Sequence, residues 1–320
     1  MRKGMNQMKY FKNTGTVKHF ISVFLIIGLL CSLAACSGKN SEGDKSGGNT
    51  SDPTQTALPS VDGAPASVNE NAGNGEIAGA VPANVYTALD NKVCGFGFAK
   101  APKGKVPDIG SYAKLIDNSK ALYVGDTSQK NLYLTFDEGY ENGFSGQILD
   151  TLKEKNCPAA FFVTGDYLKR EPELIDRMIN EGHIVGNHTW SHPTLPKIED
   201  ETKFKEELTK LDDYLAEKHG VKTTYFRYPN GEFSERSLKI VDDMGYKTVF
   251  WSTTYKDWER DVSRGADYAY DNIVNHVHDG AILLMHAVSK DNAEALGRII
   301  DALRAEGYTF CSLDELNFEK

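Results

Sequence analysis

Between residues 131 and 306 the apolar positions of the chain switch repeatedly between short continuous runs and the three-to-four-residue spacing of an amphipathic helix. The run 131–136 (NLYLTF) predicts a strand, and 143–156 (GFSGQILDTLKEKN) predicts a helix that Cys157-Pro158 stops. The unit then repeats. A buried strand is predicted at 159–164 (AAFFVT), a helix at 173–180 stopped by Gly182, and a strand at 183–186 (HIVG). A charged amphipathic helix follows over 203–219 and ends at Gly220; further strands are predicted at 225–227, 248–252 and 281–286, with helices over 234–244 and 292–306. Strands and helices in alternation predict an α/β fold around a parallel sheet, open or closed into a barrel. In both forms chemistry gathers where strands end.

Upstream the pattern is different. Residues 1–35 hold Arg2, Lys3, Lys9, Lys12 and Lys18 with no acid, and an uncharged stretch rich in Ile, Leu, Val and Phe runs from Phe20 to Cys36. That length suits the apolar region of a signal peptide and is short for a membrane span. It ends in Leu33-Ala34-Ala35-Cys36 followed by Ser37, which resembles the lipobox of bacterial lipoproteins. Residues 1–35 therefore read as a lipoprotein signal peptide, cleaved to leave a lipidated Cys36 that anchors the chain to the extracytoplasmic, cell-wall side of the cell membrane. From Ser37 to Val85 there is no aromatic residue, and Gly, Ser, Asn, Pro and Ala dominate. Such a segment cannot bury enough apolar area to offset its ordering. Residues 36–85 are predicted to be a disordered tether with a span on the order of 40 Å. Residues 86–130 lead into the domain, and 131–320 form it.

Composition sharpens this division. The 320 residues are 40% hydrophobic and 25% charged, enough for a packed core. The net charge of −9 conceals +5 in residues 1–35 and so −14 in the remainder, which excludes the basic footprint of a nucleic-acid binder. Of five Cys, those outside the signal peptide and lipobox are Cys94, Cys157 and Cys311, an odd number without metal-type spacing. They read as packing residues.

Five polar clusters sit at predicted strand ends. Thr135-Phe136-Asp137-Glu138-Gly139 puts two carboxylates where the first strand leaves the core; there one can bind a cation and the other take a proton. Asn187-His188-Thr189-Trp190-Ser191-His192 places two imidazoles four residues apart, which in a helical turn share a face and reach one metal ion. Phe226-Arg227-Tyr228-Pro229-Asn230-Gly231 delivers an Arg into a turn, where its fork can hold the Asp137 carboxylate ionised. Asp257-Trp258 offers an acid able to orient an imidazole and an aromatic face of the kind sugar rings pack against; a structural Trp beside a surface Asp is the competing reading. The strand ILLMH delivers a single imidazole, His286, at its end. The other histidines serve as controls: His276 and His278 read as turn or surface residues, and His183 and His219 have no partner in the pattern.

In this order TFDEG, NHTWSH, RYPNG, DW and ILLMH resemble the motifs of the polysaccharide deacetylases, the NodB-homology domain of carbohydrate esterase family 4. The resemblance covers about 132–313, and Tyr140-Glu141-Asn142-Gly143 with the lead-in 95–126 is similar to the branch of delta-lactam biosynthetic de-N-acetylases. It implies a distorted, incomplete (β/α) barrel of about seven parallel strands with the site in its groove. Residue by residue it implies Asp137 as general base, His286 as general acid, and Glu138, His188 and His192 as ligands of a divalent ion, Zn first, with Mn or Co as alternatives. It also implies that Arg227 braces Asp137, that Asp257 braces His286, that the Tyr228 backbone N–H holds the oxyanion, and that Trp258 and Leu284 shape the pocket for the acetyl methyl.

The reaction so implied is hydrolytic de-N-acetylation of peptidoglycan amino sugars. N-acetylmuramic acid on the way to muramic delta-lactam, in spore cortex or cell wall, is the first substrate; N-acetylglucosamine of peptidoglycan or chitin is the alternative. The implied partners are glycan strands and, through the lipid, the membrane. One departure stands out, since the family usually has a second Asp where this chain has the longer Glu138. Readings of other classes are a solute-binding lipoprotein, which predicts two lobes, and an inactive cell-wall binding module, which is disfavoured because Asp137, both imidazoles, Arg227 and His286 are all present.

Overall fold

Along the strand Asn131–Glu138, Leu132, Leu134 and Phe136 point to one face and Tyr133, Thr135 and Asp137 to the other, and all six are buried. A strand covered on both faces belongs in the middle of a layered α/β domain. A computed structural model describes residues 85–319; the predicted signal peptide over 1–35, the predicted lipidation at Cys36 and the part of the predicted tether up to residue 84 lie outside them.

The elements are β1 (Cys94–Gly95), α1 (Ala113–Asp117), β2 (Ala121–Leu122), β3 (Asn131–Glu138), α2 (Ser145–Glu154), β4 (Ala160–Val163), α3 (Gly165–Arg170), α4 (Pro172–Asn180) and β5 (Ile184–Asn187). There follow α5 (Glu201–His219), β6 (Tyr225–Phe226), β7 (Glu232–Phe233), α6 (Glu235–Asp243), β8 (Lys247–Val249), α7 (Ala266–Val274), β9 (Ile282–His286), α8 (Lys290–Ala305) and β10 (Thr309–Phe310). Seven strands in the order β9-β3-β4-β5-β6-β8-β2 are joined by parallel ladders, and β10 pairs with the first residues of β3. The ends of this order approach each other through single bridges, Thr253 with Leu283 and Val124 with Ala281. The sheet is thus a curled, incomplete (β/α) barrel, as the motif resemblance implies.

Two apolar layers hold it. Phe162, Phe226, Phe250 and Leu284 fill the interior, while Phe136, Phe161 and Leu283 pack outward against Ile148 and Leu149 of α2 and Leu296 and Ile300 of α8. The lead-in is built into the same body, with Phe96 stacked on Phe250 at 4.4 Å between ring centroids and β1 paired antiparallel with β7. The long α5 starts at Asp200, whose carboxylate accepts the Lys203 N–H at 3.1 Å, and stops at Gly220, where φ of 71° suits a residue without Cβ.

Several expectations are corrected. The strand predicted at 248–252 is Lys247–Val249, because the chain beyond it turns to β9, where Ser252 and Thr253 N–H both reach the Ile282 carbonyl. The pattern does not predict α3, too short to show a period, nor α7, where Tyr and Ala interrupt the apolar stripe, nor the two-residue strands β1, β2, β7 and β10. His219 does have a partner: its Nδ1 lies 2.7 Å from Asp176 Oδ1, linking α5 to α4. The three described Cys are free thiols, two of them buried.

Candidate active site

The inward faces of β3 and β9 bring Asp137 into register with His286 at the strands' C-terminal ends. The remaining groups gather around this pair. Arg227, one residue beyond β6, is fully buried, and its guanidinium is spread over four oxygens. Nε donates to the Val249 carbonyl at 2.8 Å, Nη1 to Thr135 Oγ1 and to Asp137 Oδ1 at 2.8 Å each, and Nη2 to the Phe250 carbonyl at 3.3 Å. Its plane also lies over the Phe162 ring at 4.2 Å. Burial alone would raise the Asp137 pKa, but the charge and hydrogen bond of Arg227, with His188 and His286 beside them, together outweigh it and hold the carboxyl below its ordinary value.

His188 follows β5, and its Nδ1 lies 2.8 Å from the Arg227 carbonyl, an arrangement in which Nδ1–H donates and Nε2 keeps its lone pair. Nε2 stands 3.6 Å from Asp137 Oδ2. Burial pushes His188 down to about 4 and also lowers His192, so both rings are neutral near pH 7. The two rings meet, with centroids 4.9 Å apart, but not on the helical turn that their spacing predicts. The segment is a loop in which Thr189 and His192 adopt φ of 68° and 58°, a left-handed backbone costly for side-chain-bearing residues. The Thr189 hydroxyl accepts the His192 N–H at 3.0 Å and helps to hold the bend.

Glu138 is not brought to these rings. The β3 ladder continues through it, pairing it with Val163, so it faces outward as Phe136 does. There it is fully buried, neither carboxyl oxygen has a hydrogen-bond partner, and burial raises its pKa well above the ordinary value. Among the described residues no three His, Cys, Asp or Glu side chains are grouped closely enough to hold a metal ion. Two neutral imidazoles with one free nitrogen directed toward Asp137 fit two positions of a divalent ion. Glu138 does not fit the third.

His286 Nδ1 lies 2.7 Å from Asp257 Oδ1, and the His286 backbone N–H donates to Asp257 Oδ2 at 2.9 Å. Burial disfavours the imidazolium, yet the Asp257 carboxylate prevails and the His286 pKa is raised. Trp258 is 51% exposed with its ring 5.8 Å from that of His286. Asp137, His188, His192, Trp258, Leu284 and His286 line one open groove of about 880 Å³, within the range of small-molecule sites. The Tyr228 ring lies beneath this groove, fully buried and parallel to Phe250. The sequence reading misses other parts of the wall, including Phe98, Lys100, Asn230, Trp251 and Tyr255. Phe98 and Lys100 come from a lead-in without periodicity, and only the proximity of Asn230 to Arg227 in RYPNG could have marked it. His276 and His278 stay outside the groove on backbone carbonyls; His276 is the turn residue expected, whereas His278 is buried and not at the surface.

Residues 124–249 match the family model described as polysaccharide deacetylase. The chain is 44% identical over 236 residues to the peptidoglycan-N-acetylmuramic acid deacetylase PdaA of Bacillus subtilis (strain 168), covering 73% of this chain and 89% of that protein. It is 32% identical over 218 residues to a peptidoglycan-N-acetylglucosamine deacetylase of Bacillus cereus, covering 66% and 78%. The solved structure of Bacillus subtilis PdaA, described as a family 4 carbohydrate esterase, matches with a TM-score of 0.69 at 42% identity, covering 71% of this chain and 98% of that one.

Proposed function

This chain belongs to the polysaccharide deacetylase family, and from that premise we propose that it hydrolyses the N-acetyl group of muramic acid in peptidoglycan, the step before closure of a muramic delta-lactam. The observation that carries the reading is the separation of two titratable groups in one groove. Asp137 is held low by Arg227 and His286 is held high beside Asp257, which favours an ionised base and a protonated acid in the same site.

Asp137 takes a proton from the water that attacks the acetyl carbonyl. The Tyr228 backbone N–H donates to the oxygen that gains charge, and Leu284 and Trp258 hold the acetyl group and the sugar ring. His286 then gives its proton to the departing nitrogen, which would leave very slowly as an anion. Water is consumed, acetate leaves and the amino sugar is left as a free amine. A divalent cation held by His188 and His192, Zn²⁺ first, would polarise the carbonyl and bring the pKa of water toward about 7. Attachment through a lipidated Cys36 places the domain on the wall side of the membrane, where its insoluble substrate is.

The test is mass spectrometry of defined muropeptides before and after treatment, with and without chelator. Loss of one acetyl group from muramic acid, suppressed by chelation and restored by Zn²⁺, is the expected result. Loss from glucosamine instead supports the second reading, which the 32% identity to the Bacillus cereus enzyme favours. No acetate from either sugar overturns both.

A further inference from the structure

The groups facing His286 are Asp257 beside it, Asp137 in register on the neighbouring strand, Arg227 across the barrel, and His192 on the opposite loop. Among the described residues only Asp257 is hydrogen-bonded to its ring nitrogen, and Asp257 lies in an irregular stretch after β8, where no ladder fixes its side chain. What fixes it is the start of α8. Asn292, fully buried in the first turn of that helix, donates from Nδ2 to Asp257 Oδ2 at 2.6 Å and to the His286 carbonyl at 3.0 Å. Its amide cannot be reversed, because the Asp257 carboxylate and the His286 carbonyl can only accept, and the Tyr255 hydroxyl donates to the Oδ1 that is left. A reversed amide would set its oxygen against the Asp257 carboxylate and the His286 carbonyl.

The same helix start holds the loop on the far side of Trp258. Asp291 accepts from the Ser263 hydroxyl at 2.5 Å and from the Arg264 N–H at 2.6 Å, while Ser289 Oγ accepts the Asn292 N–H at 3.3 Å and caps the helix.

We propose that Asn292 is a positioning residue for the acid: it locks the plane of the Asp257 carboxylate so that Oδ1 meets His286 Nδ1, and it fixes the His286 backbone through the same amide. Two donors on Oδ2, the His286 N–H and the Asn292 amide, leave Oδ1 the single direction toward the ring. The His286 Nε2 is thereby aimed into the groove. Without Asn292 a fully buried carboxylate loses a charge-assisted hydrogen bond and can rotate, and the imidazole can follow it. The inference rests on the reading of His286 as the proton donor.

The experiment compares the full chain with its Asn292→Ala and Asn292→Asp variants, by kcat and KM on the acetylated muropeptide across pH and by the ¹H–¹⁵N signal of the His286 ring. Asn292→Ala is expected to lower kcat about 10–10²-fold with KM nearly unchanged, since an acid out of place costs the transition state and not binding. Its alkaline limb moves to lower pH, and the Nδ1–H resonance loses the downfield position of a proton held by a carboxylate. Asn292→Asp preserves the shape, so it reads the same contact should the Ala variant fail to fold; at pH above the titration of the new acid its carboxylate cannot donate to Asp257, and kcat falls likewise there. An unmoved alkaline limb and an unmoved Nδ1–H signal, in variants that only melt at lower temperature, overturn the positioning role. A wild-type chain that releases no acetate instead overturns the functional reading, and the ring signal still reports whether Asn292 holds Asp257.

Discussion

Arg227 donates to Asp137 Oδ1 at 2.8 Å from a position with no solvent exposure, and three other oxygens accept from the same guanidinium. A buried ion pair needs its remaining donors satisfied, and here the Val249 and Phe250 carbonyls and the Thr135 hydroxyl take three of the other four guanidinium N–H groups. Lysine offers a point charge with no planar fork and cannot reach all four. Arg227→Lys is expected to lose about 1–3 kcal/mol of stability in urea melts, through buried acceptors left unpaired. It should also lose about 10²-fold in kcat/KM through misplacement of the base. The sign of the pH effect is fixed. Asp137 sits below its ordinary pKa because of Arg227, so its stabilising contribution is present above the unfolded carboxyl pKa and is lost as pH falls through the folded one. In Arg227→Met that advantage is gone, and the acidic limb of the rate profile moves to higher pH.

His286 controls the opposite limb. Its pKa is raised, so its charged form and the stability it contributes are complete below the unfolded imidazole pKa and are lost as pH rises through the folded value. Activity follows the same limb if His286 gives the proton. His286→Ala should lower kcat by about 10²- to 10⁴-fold. The metal content should persist, measured by emission spectroscopy on the purified variant. Asp257→Asn keeps the shape but removes the charge, so the alkaline limb shifts to lower pH; an unchanged limb would assign the acid to another group.

Glu138 gives a third measurable outcome, opposite to what its place in TFDEG implies. An acid that is fully buried and unpartnered favours its protonated form when folded, so it costs stability as pH rises above the unfolded carboxyl pKa. Glu138→Gln is expected to bind Zn²⁺ as tightly as the parent by isothermal titration. It should also flatten the fall in melting temperature between mildly acidic and neutral pH, gaining up to about 1–3 kcal/mol at neutral pH. Loss of Zn²⁺ affinity in this variant would restore Glu138 to the ligand set.

How much of this was legible depends on which period governed each residue. The base, its Arg and the acid are readable because Asp137, Arg227 and His286 each sit at or just past the end of a strand, where an α/β sheet presents its side chains. Glu138 was also readable in principle: in a strand neighbours point to opposite faces, and the apolar alternation of LYLTF already assigns Phe136 and Glu138 to one side. The imidazoles illustrate the reverse. A helical turn is a sound inference from HxxxH, yet the rings meet through a left-handed bend that nothing in Thr189 or His192 announces. Phe96, Phe98 and Lys100 were not readable, because they reach the barrel by tertiary packing from a segment with no period. Asn292 looks like any polar residue at a helix start until Asp257 is placed beside it.

That bend has a point of support which can be tested. Gly165 opens α3 against the imidazole loop, and its N–H donates to both the Thr189 and the Trp190 carbonyls, at 3.2 and 3.1 Å. A Cβ at this position would come within 2.4 Å of the Trp190 ring and 2.7 Å of the Trp190 carbonyl oxygen. Repacking can displace the ring; the carbonyl cannot move without the backbone that carries His188 and His192. Since Thr189 and His192 already occupy the left-handed region, the loop has little freedom to absorb the shift. Gly165→Ala is therefore expected to cost about 1–3 kcal/mol by overpacking. It should also weaken Zn²⁺ binding and lower kcat while the ring signal of His286, on the other side of the groove, stays in place. A variant equal to the parent in stability and Zn²⁺ affinity would show that the loop is not held from this side, and that the left-handed turn is maintained by the Thr189 hydroxyl alone.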